Sequence, residues 1–151
     1  MKPGLKFLNS KETKEIKRKL EAQFEFSELN YAFLQNQDNK IFIVNRDVDR
    51  VDWKTLYINS IGAYLGEDHG ADIRLSIEGS QLIGSSAKKN VIELDKSQAR
   101  EWLKGYDLEY PGSTKGFVII KCGNDFLGSA KHKDSKLINY VPKERRIRAS
   151  D

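Results

Sequence analysis

The chain has 151 residues and carries 26 Lys and Arg against 22 Asp and Glu, a net charge of +4. That length can bury roughly two thirds of the unfolded surface, enough for one domain or two small ones. No apolar run reaches the roughly 20 residues of a membrane span, the opening MKPGLKFLNS lacks the apolar stretch of a signal peptide, and the single cysteine, Cys122, excludes an internal disulfide, so a reducing, cytoplasmic setting is expected.

Asn9 and Glu12 have the spacing of a capping box, and Ile16, Leu20 and Phe24 recur on one helical face, predicting a helix over 10–24. Lys11–Lys19 is basic, but Glu12, Glu15 and Glu21 interleave, which suits a solvated helix face. Tyr31–Leu34 and Lys40–Val44 read as a hairpin across the polar turn Gln35–Asn39. Arg46–Thr55, with Val48, Val51 and Trp53, fits either a short helix or a tight connection. Tyr57–Leu65 reads as a strand with Ile61, Ala63 and Leu65 on one face, Gly66–Gly70 as its turn, and Ile73–Ile77 as the returning strand. Gln81–Ile83 suggests a short helix before the break at Gly84-Ser85-Ser86, which predicts a division into residues 1–87 and 88–151.

Val91–Leu94 follows as a strand. Asp95 and Gln98 make a second capping box, with Ala99, Trp102 and Leu103 on the apolar face and Gly105 at the C-terminal end. Tyr106–Gly112 reads as a loop. Phe117–Ile120 is continuously apolar, as in a strand buried on both faces. Gly123-Asn124 can turn the chain into a strand over Phe126–Lys131, and Asp134-Ser135 into one over Leu137–Val141, which Pro142 ends.

Charge is divided unevenly. Residues 1–87 hold 12 basic against 13 acidic side chains, and residues 88–151 hold 14 against 9, so −1 and +5. Lys131, Lys133 and Lys136 flank the last hairpin, and Lys143, Arg145, Arg146 and Arg148 lie within six residues beyond it. Arginine can present two parallel donors to one phosphate, so this basic arm points to a polyanion. Tyr140 beside it reads equally as a base-stacking ring or as packing.

Residues 90–147, through DKSQAREWLKG, YPGSTKG and FVIIKCGNDFLGSA, resemble a PUA domain, the RNA-binding module of pseudouridine synthases and archaeosine transglycosylases. The upstream IGAYLGEDHGADIRLSIEGSQLIG resembles the pre-PUA region of NIP-type ribosome-biogenesis factors. The tail GSAKHKDSKLINYVPKERRI resembles the C-terminal PUA-like extension of RsmF-type RNA cytosine-C5 methyltransferases. The resemblance implies an α+β chain: a pre-PUA-like α/β N-terminal domain followed by a PUA pseudobarrel that binds structured RNA, ribosomal or transfer. It places RNA phosphates on Lys143, Arg145, Arg146 and Arg148, and makes the helix end at Lys104-Gly105 and the loop to Lys115 part of the RNA face.

Catalytic signatures are missing. The sequence has no GxGxxG after a strand and no GxxxxGK[ST] loop. Cys122 follows Lys121 rather than the Pro or Thr expected before the methyltransferase nucleophile, so it reads as a small core residue. His69 and His132 stand alone, without metal-ligand spacing; His69 reads as a solvated turn residue, and His132, between two lysines, as an exposed bystander rather than the alternative, a hydrogen-bonding group at an RNA face. The expectation is an RNA-binding protein without catalysis, metal or cofactor, acting in ribosome biogenesis or RNA modification with a larger protein partner and away from membranes. A rival expectation is a protein-interaction scaffold of a pre-ribosomal complex with little RNA affinity of its own.

Overall fold

The computed structural model describes residues 5–27, 29–45 and 63–150 of the chain. The readings of Arg46–Thr55 and of the strand start at Tyr57, with Trp53 and Ile61, lie outside the described residues.

The first half is a sheet with one long helix. Strand β1 (Lys6–Phe7) leads to helix α1 (Ser10–Phe24), then to β2 (Tyr31–Gln35), β3 (Lys40–Asn45), β4 (Ala63–Asp68) and β5 (Ile73–Leu75), hydrogen-bonded in the order β1-β2-β3-β4-β5. Both arms of the predicted capping box form: the Asn9 side chain accepts from the Glu12 N–H at 2.8 Å, and Glu12 accepts from the Asn9 N–H at 3.0 Å. Ile16, Leu20 and Phe24 are buried as their spacing requires. The helix stops at Glu25, which turns left-handed at φ 48°.

Three expectations for this half are corrected. Gly66, Glu67 and Asp68 are not a turn but the end of β4, paired to β5, and the chain reverses over 69–72. The strand after it stops at Leu75, because Ser76 caps a helix, accepting from the Gly79 N–H at 2.9 Å. That helix, α2 (Ile77–Gly84), therefore begins four residues before the predicted Gln81–Ile83 segment. Ala63 and Leu65 also part company, the first exposed and the second buried. Ile41 opposes Gly66 while Phe42 opposes Tyr64, so Leu65 is an extra residue that breaks the alternation.

The second half is a five-stranded sheet in the order β6-β8-β9-β10-β7, made by β6 (Val91–Glu93), β7 (Leu108–Glu109), β8 (Gly116–Cys122), β9 (Asp125–Lys133) and β10 (Lys136–Asn139). β6 and β8 are parallel, and helix α3 (Lys96–Leu103) lies between them in the chain. Its capping box is complete, and Gly105 follows it at φ +97°. β7 lies in what the sequence offered as a loop. Its two residues are strand only because β10 pairs with them. β9 runs two residues beyond the expected Lys131, and β10 stops before Tyr140. The chain then makes a 3-10 turn over Lys143–Arg145.

A bulge sets the register of the β8–β9 hairpin. Near the turn Cys122 faces Asp125, whereas further along Ile119 faces Ser129 and Gly116 faces His132, one residue out of step. Gly128, at φ +97°, supplies the extra residue's backbone. Its N–H donates to the Ser80 hydroxyl of α2 at 2.9 Å, in a buried position. The Ser80 hydroxyl in turn donates to the Ile77 carbonyl at 2.7 Å.

The apolar run Phe117–Ile120 is buried on both faces, and each face belongs to a different core. Val118 and Ile120 pack with Leu94, Trp102, Ala130 and Leu137 inside the second sheet. Ile119 packs with Leu20, Phe24, Leu65 and Ile83 under the first. Trp102 is fully buried, and its indole N–H donates to the Leu127 carbonyl, which fits the core reading. The end of α1 is stitched to the start of the second half. The Lys88 N–H donates to the Phe24 carbonyl at 2.8 Å, and the Asn90 amide donates to the Gln23 carbonyl at 2.5 Å.

Candidate nucleic-acid interface

The β8–β9 register determines which cations meet. Because Gly116 opposes His132 and Phe117 opposes Lys131, Lys115 at the entry to β8 comes beside Lys131 and Lys133 near the end of β9. These three lysines line one cleft of about 360 Å³ between the loop Gly112–Gly116 and the hairpin Lys131–Ser135. Asp134 lines it too, leaving a local excess of two positive charges. The Lys131 ammonium sits 5.7 Å from the Phe117 ring centroid, which restrains its stem. Among the described residues, Lys115 and Lys133 make no ion pair and are exposed. The hairpin end is tight: Asp134 and Ser135 both take positive φ, 53° and 61°, as a two-residue type I′ turn needs.

The floor of the cleft is organised by His132, expected to be exposed and found 2% exposed. Alternation along β9 turns the flanking lysines outward and the imidazole inward. Nε2 lies 2.7 Å from the Tyr110 carbonyl, which can only accept, so that nitrogen carries a proton. Nδ1 contacts the Thr114 hydroxyl. The ring thereby ties both ends of the 110–114 segment to β9, one residue before Lys115.

Lys136 lies on β10 opposite both Lys133 and Glu109, with its ammonium 3.9 Å from the Glu109 carboxylate. Tyr140 is partly buried. Its ring meets Phe117 edge-on at 5.7 Å, and the Arg74 guanidinium lies over it at 4.8 Å. The packing alternative therefore describes its present surroundings.

The C-terminal cations form a second group, folded against α3. The Arg146 Nε–H donates to the Val141 carbonyl at 3.0 Å, and its side chain covers Gly105. The Ile147 N–H donates to the Leu103 carbonyl at 2.9 Å. Arg145 pairs with Glu78 of α2 at 2.9 Å. Lys104, at the end of α3, has a side chain only 13% exposed and lies 3.5 Å from Glu101. Lys143 and Arg148 are exposed on either side of this turn. The sequence offered the basic residues as one arm. The structure places Lys115, Lys131 and Lys133 together in a cleft, Lys136 beside it, and Lys104, Lys143, Arg145, Arg146 and Arg148 around the end of α3.

Asn139 was missed by the sequence reading. Its amide donates to the carbonyls of Trp102 at 2.7 Å and Tyr106 at 3.0 Å, and its side-chain oxygen accepts from the Val141 N–H at 2.7 Å. It joins the end of β10 to the end of α3 and so sets where the basic turn begins. No local pattern marks an Asn whose amide reaches carbonyls more than thirty residues away.

Among the described residues, no group of three or more His, Cys, Asp or Glu side chains is arranged to hold a metal ion, and no helix is long and apolar enough to cross a membrane.

Residues 89–147, which hold this second sheet, match the family model described as the methyltransferase RsmF PUA domain, so this part of the mixed α/β chain is similar to a PUA domain. The domain resembles the C-terminal domain of RsmF. Curated relatives include ribosomal RNA small subunit methyltransferases F. That of Vibrio cholerae is 33% identical over 90 residues, which cover 59% of this chain and 19% of the relative. That of Shewanella oneidensis is 37% identical over 62 residues, covering 40% and 13%. That of Aeromonas salmonicida is 30% identical over 139 residues, covering 91% of this chain and 28% of the relative. The likeness thus extends beyond the PUA domain into the first half, while the chain spans less than a third of the length of each of these relatives.

Proposed function

We propose that this chain is a non-catalytic RNA-binding protein that docks structured ribosomal or transfer RNA on the basic face of its PUA domain. Its role would be in RNA modification or ribosome assembly, beside a larger protein partner. In this reading residues 1–87 form a pre-PUA-like domain and residues 88–151 the RNA-binding domain, a PUA pseudobarrel. One observation carries the proposal: Lys115, Lys131 and Lys133 converge on a single cleft in a domain whose relatives are named for methylating ribosomal RNA. Contacts from these lysines, from Lys136 and from the turn at Lys143–Arg148 would reach phosphates, which position an RNA without reading its sequence. Recognition would then come from shape, the 2′-hydroxyls and unpaired bases.

The test is RNA affinity at several salt concentrations, with ribosomal and transfer RNA fragments. The intact chain is compared with a Lys115, Lys131 and Lys133 triple-alanine variant and with a Lys143, Arg145 and Arg146 triple-alanine variant. If about four to six phosphates are engaged, the log–log slope is about −3 to −4, and it flattens by about 2 when three contacts are removed. Equal, weak binding by all three proteins would sink the proposal.

One observation favours the scaffold alternative. Arg145 and Arg146 already have partners within the chain, Glu78 and the Val141 carbonyl, as structural residues do. On that reading the C-terminal variant would lose stability or partner binding and leave RNA affinity unchanged.

A further inference from the structure

The chain leaves α3 through a tightly held turn. Gly105 takes φ +97°, and the Tyr106 N–H returns to the Glu101 carbonyl at 3.3 Å. From the other side the Asn139 amide donates to the Tyr106 carbonyl at 3.0 Å, so the backbone of Tyr106 is fixed on both sides. The side chain it carries is uncovered. Tyr106 is 50% exposed, and among the described residues no other large apolar side chain is exposed. Its hydroxyl has no hydrogen-bond partner there, and its faces meet no other ring and no cation. A ring left in water forgoes the stabilisation of burial, and its flat faces are open to a stacking partner.

Arg146 lies over the residue before it. Its Nε–H donates to the Val141 carbonyl at 3.0 Å, and its guanidinium carbon lies 2.8 Å from where a Cβ on Gly105 would stand. A guanidinium has five N–H donors, so this bond leaves those on the two Nη groups. Among the described residues they make no hydrogen bond and no ion pair, and Arg146 is exposed. The fork is thus aimed by the fold and unspent, the state in which arginine takes a phosphate through two parallel bonds with little further ordering. Successive Cα atoms are about 3.8 Å apart, so the fork over Gly105 and the root of the Tyr106 ring are neighbours.

Nearby acids do not block the fork. Glu101 pairs with Lys104 at 3.5 Å, and the Asp107 carboxylate accepts the Asn139 N–H at 2.8 Å. Glu144 stands in the same turn as Lys143 and Arg146, so the turn keeps an excess of positive charge. Tyr110, whose carbonyl bonds His132 on the floor of the lysine cleft, lies four residues beyond Tyr106. Four residues span at most about 14 Å. That closeness to three converging lysines favours a nucleic acid over a peptide as the occupant of the ring and fork.

We infer that Tyr106 and Arg146 together hold one unpaired nucleotide, its base stacked on the Tyr106 ring and an adjoining phosphate on the two Nη groups of Arg146. The inference rests on the proposed RNA-binding function and adds to it a base contact at the end of α3. The lysines attract any phosphate, paired or unpaired. The ring accepts only a base that has left its helix, and any of the four bases will serve, since each has a flat face.

The experiment uses the full chain with a single-stranded oligoribonucleotide of about eight nucleotides carrying 2-aminopurine, and with a blunt RNA duplex of the same sequence. Five proteins are compared: the intact chain, Tyr106→Ala, Tyr106→Phe, Arg146→Ala, and the Lys115, Lys131 and Lys133 triple-alanine variant. Melting curves establish that each is folded. Tyr106→Ala is expected to bind the single strand about tenfold more weakly, with its salt slope unchanged because no charge is removed, and to bind the duplex as the intact chain does. Tyr106→Phe should bind both as the intact chain does, since stacking needs no hydroxyl. Arg146→Ala should lose about 0.7 from the single-strand salt slope. The 2-aminopurine fluorescence should be quenched on binding to the intact chain and recover in the Tyr106→Ala complex. Undiminished single-strand binding by Tyr106→Ala overturns the inference, and that is the result if the ring serves a protein partner instead. So does an equal loss for strand and duplex, which would make the ring a support of the fold. In either case lost affinity in the triple variant leaves the proposed function standing. An intact chain that binds neither RNA removes both.

Discussion

The Arg145 guanidinium donates to the Glu78 carboxylate at 2.9 Å, across 67 residues of sequence. The pair ties the basic turn to the start of α2, and both side chains stay nearly half exposed. An exposed pair of this kind contributes roughly 0–1 kcal/mol, since solvent and salt screen it and two long side chains must be ordered. Arg145→Ala is therefore expected to leave the urea unfolding midpoint almost unchanged. Any loss of RNA affinity it causes then reads the contact itself. A large drop in stability would show the pair to be structural.

Ser80→Ala is expected to be more damaging than its size suggests. The hydroxyl accepts the buried N–H that the β9 bulge leaves at Gly128, and alanine offers nothing in its place. A buried donor without a partner costs about 1–3 kcal/mol. Equilibrium denaturation checks the magnitude, and amide exchange at Gly128 should accelerate with it.

At Gly105, alanine meets two obstacles. The backbone sits at φ +97°, where side chains are strained, and a Cβ would come within 2.6 Å of the Arg146 Nε. Gly105→Ala should cost about 1–3 kcal/mol and displace Arg146 from its place over the helix end. The readout is denaturation, together with loss of the protected Ile147 amide that bonds the Leu103 carbonyl.

Replacing His132 by phenylalanine keeps a ring on the cleft floor and removes both polar contacts. The Tyr110 carbonyl and the Thr114 hydroxyl lose their partner. A loss of about 1–3 kcal/mol is expected, with faster amide exchange over 110–116 and weaker RNA binding through a loosened Lys115. In the intact protein, nitrogen NMR should find the proton on Nε2. A neutral ring protonated at Nδ1 alone would contradict the geometry.

The Glu12 carboxyl should titrate below its ordinary 4.5, chiefly because the Asn9 N–H bonds the charged form, with Lys6 adding to it. A depressed carboxylate stabilises the fold above its unfolded value, and the benefit is lost as pH falls through the folded one. Carboxyl NMR shifts should show the low midpoint, and Glu12→Gln should abolish the corresponding acid-side decline in the stability of α1.

Helices α1 and α3 were legible because their signals are local, whereas the Ser76 cap of α2 went unread. In α1 the capping box and the i, i+4, i+8 stripe are complete between Asn9 and Phe24, and both boxes form as written. Strands were legible where the apolar run was long, as at Phe117–Ile120, and not where pairing alone makes them, as in the two-residue strand Leu108–Glu109 against β10. His132 went unread as a buried residue because lysines flank it. Its period-two partner Ala130 was the available clue. The lysine cleft was harder. A two-residue turn at Gly123-Asn124, continued without interruption, would set Lys115 opposite His132, whereas the bulge sets Lys133 there instead. One inserted residue changes which side chains share a face, and nothing nearby in the sequence announces it except Gly128.

The two-sided burial of β8 bears on how this protein can be cut. A fragment beginning near residue 88 would keep Val118 and Ile120 covered but lay Ile119 and Phe126 open to water, together with the strand carbonyl of Phe117 that Gln23 now contacts. The first half would lose the far wall of its own core in the same cut. Excised PUA fragments should therefore aggregate unless Ile119 and Phe126 are made polar, and a graft of this basic surface into another protein must carry α1 and α2 along with it.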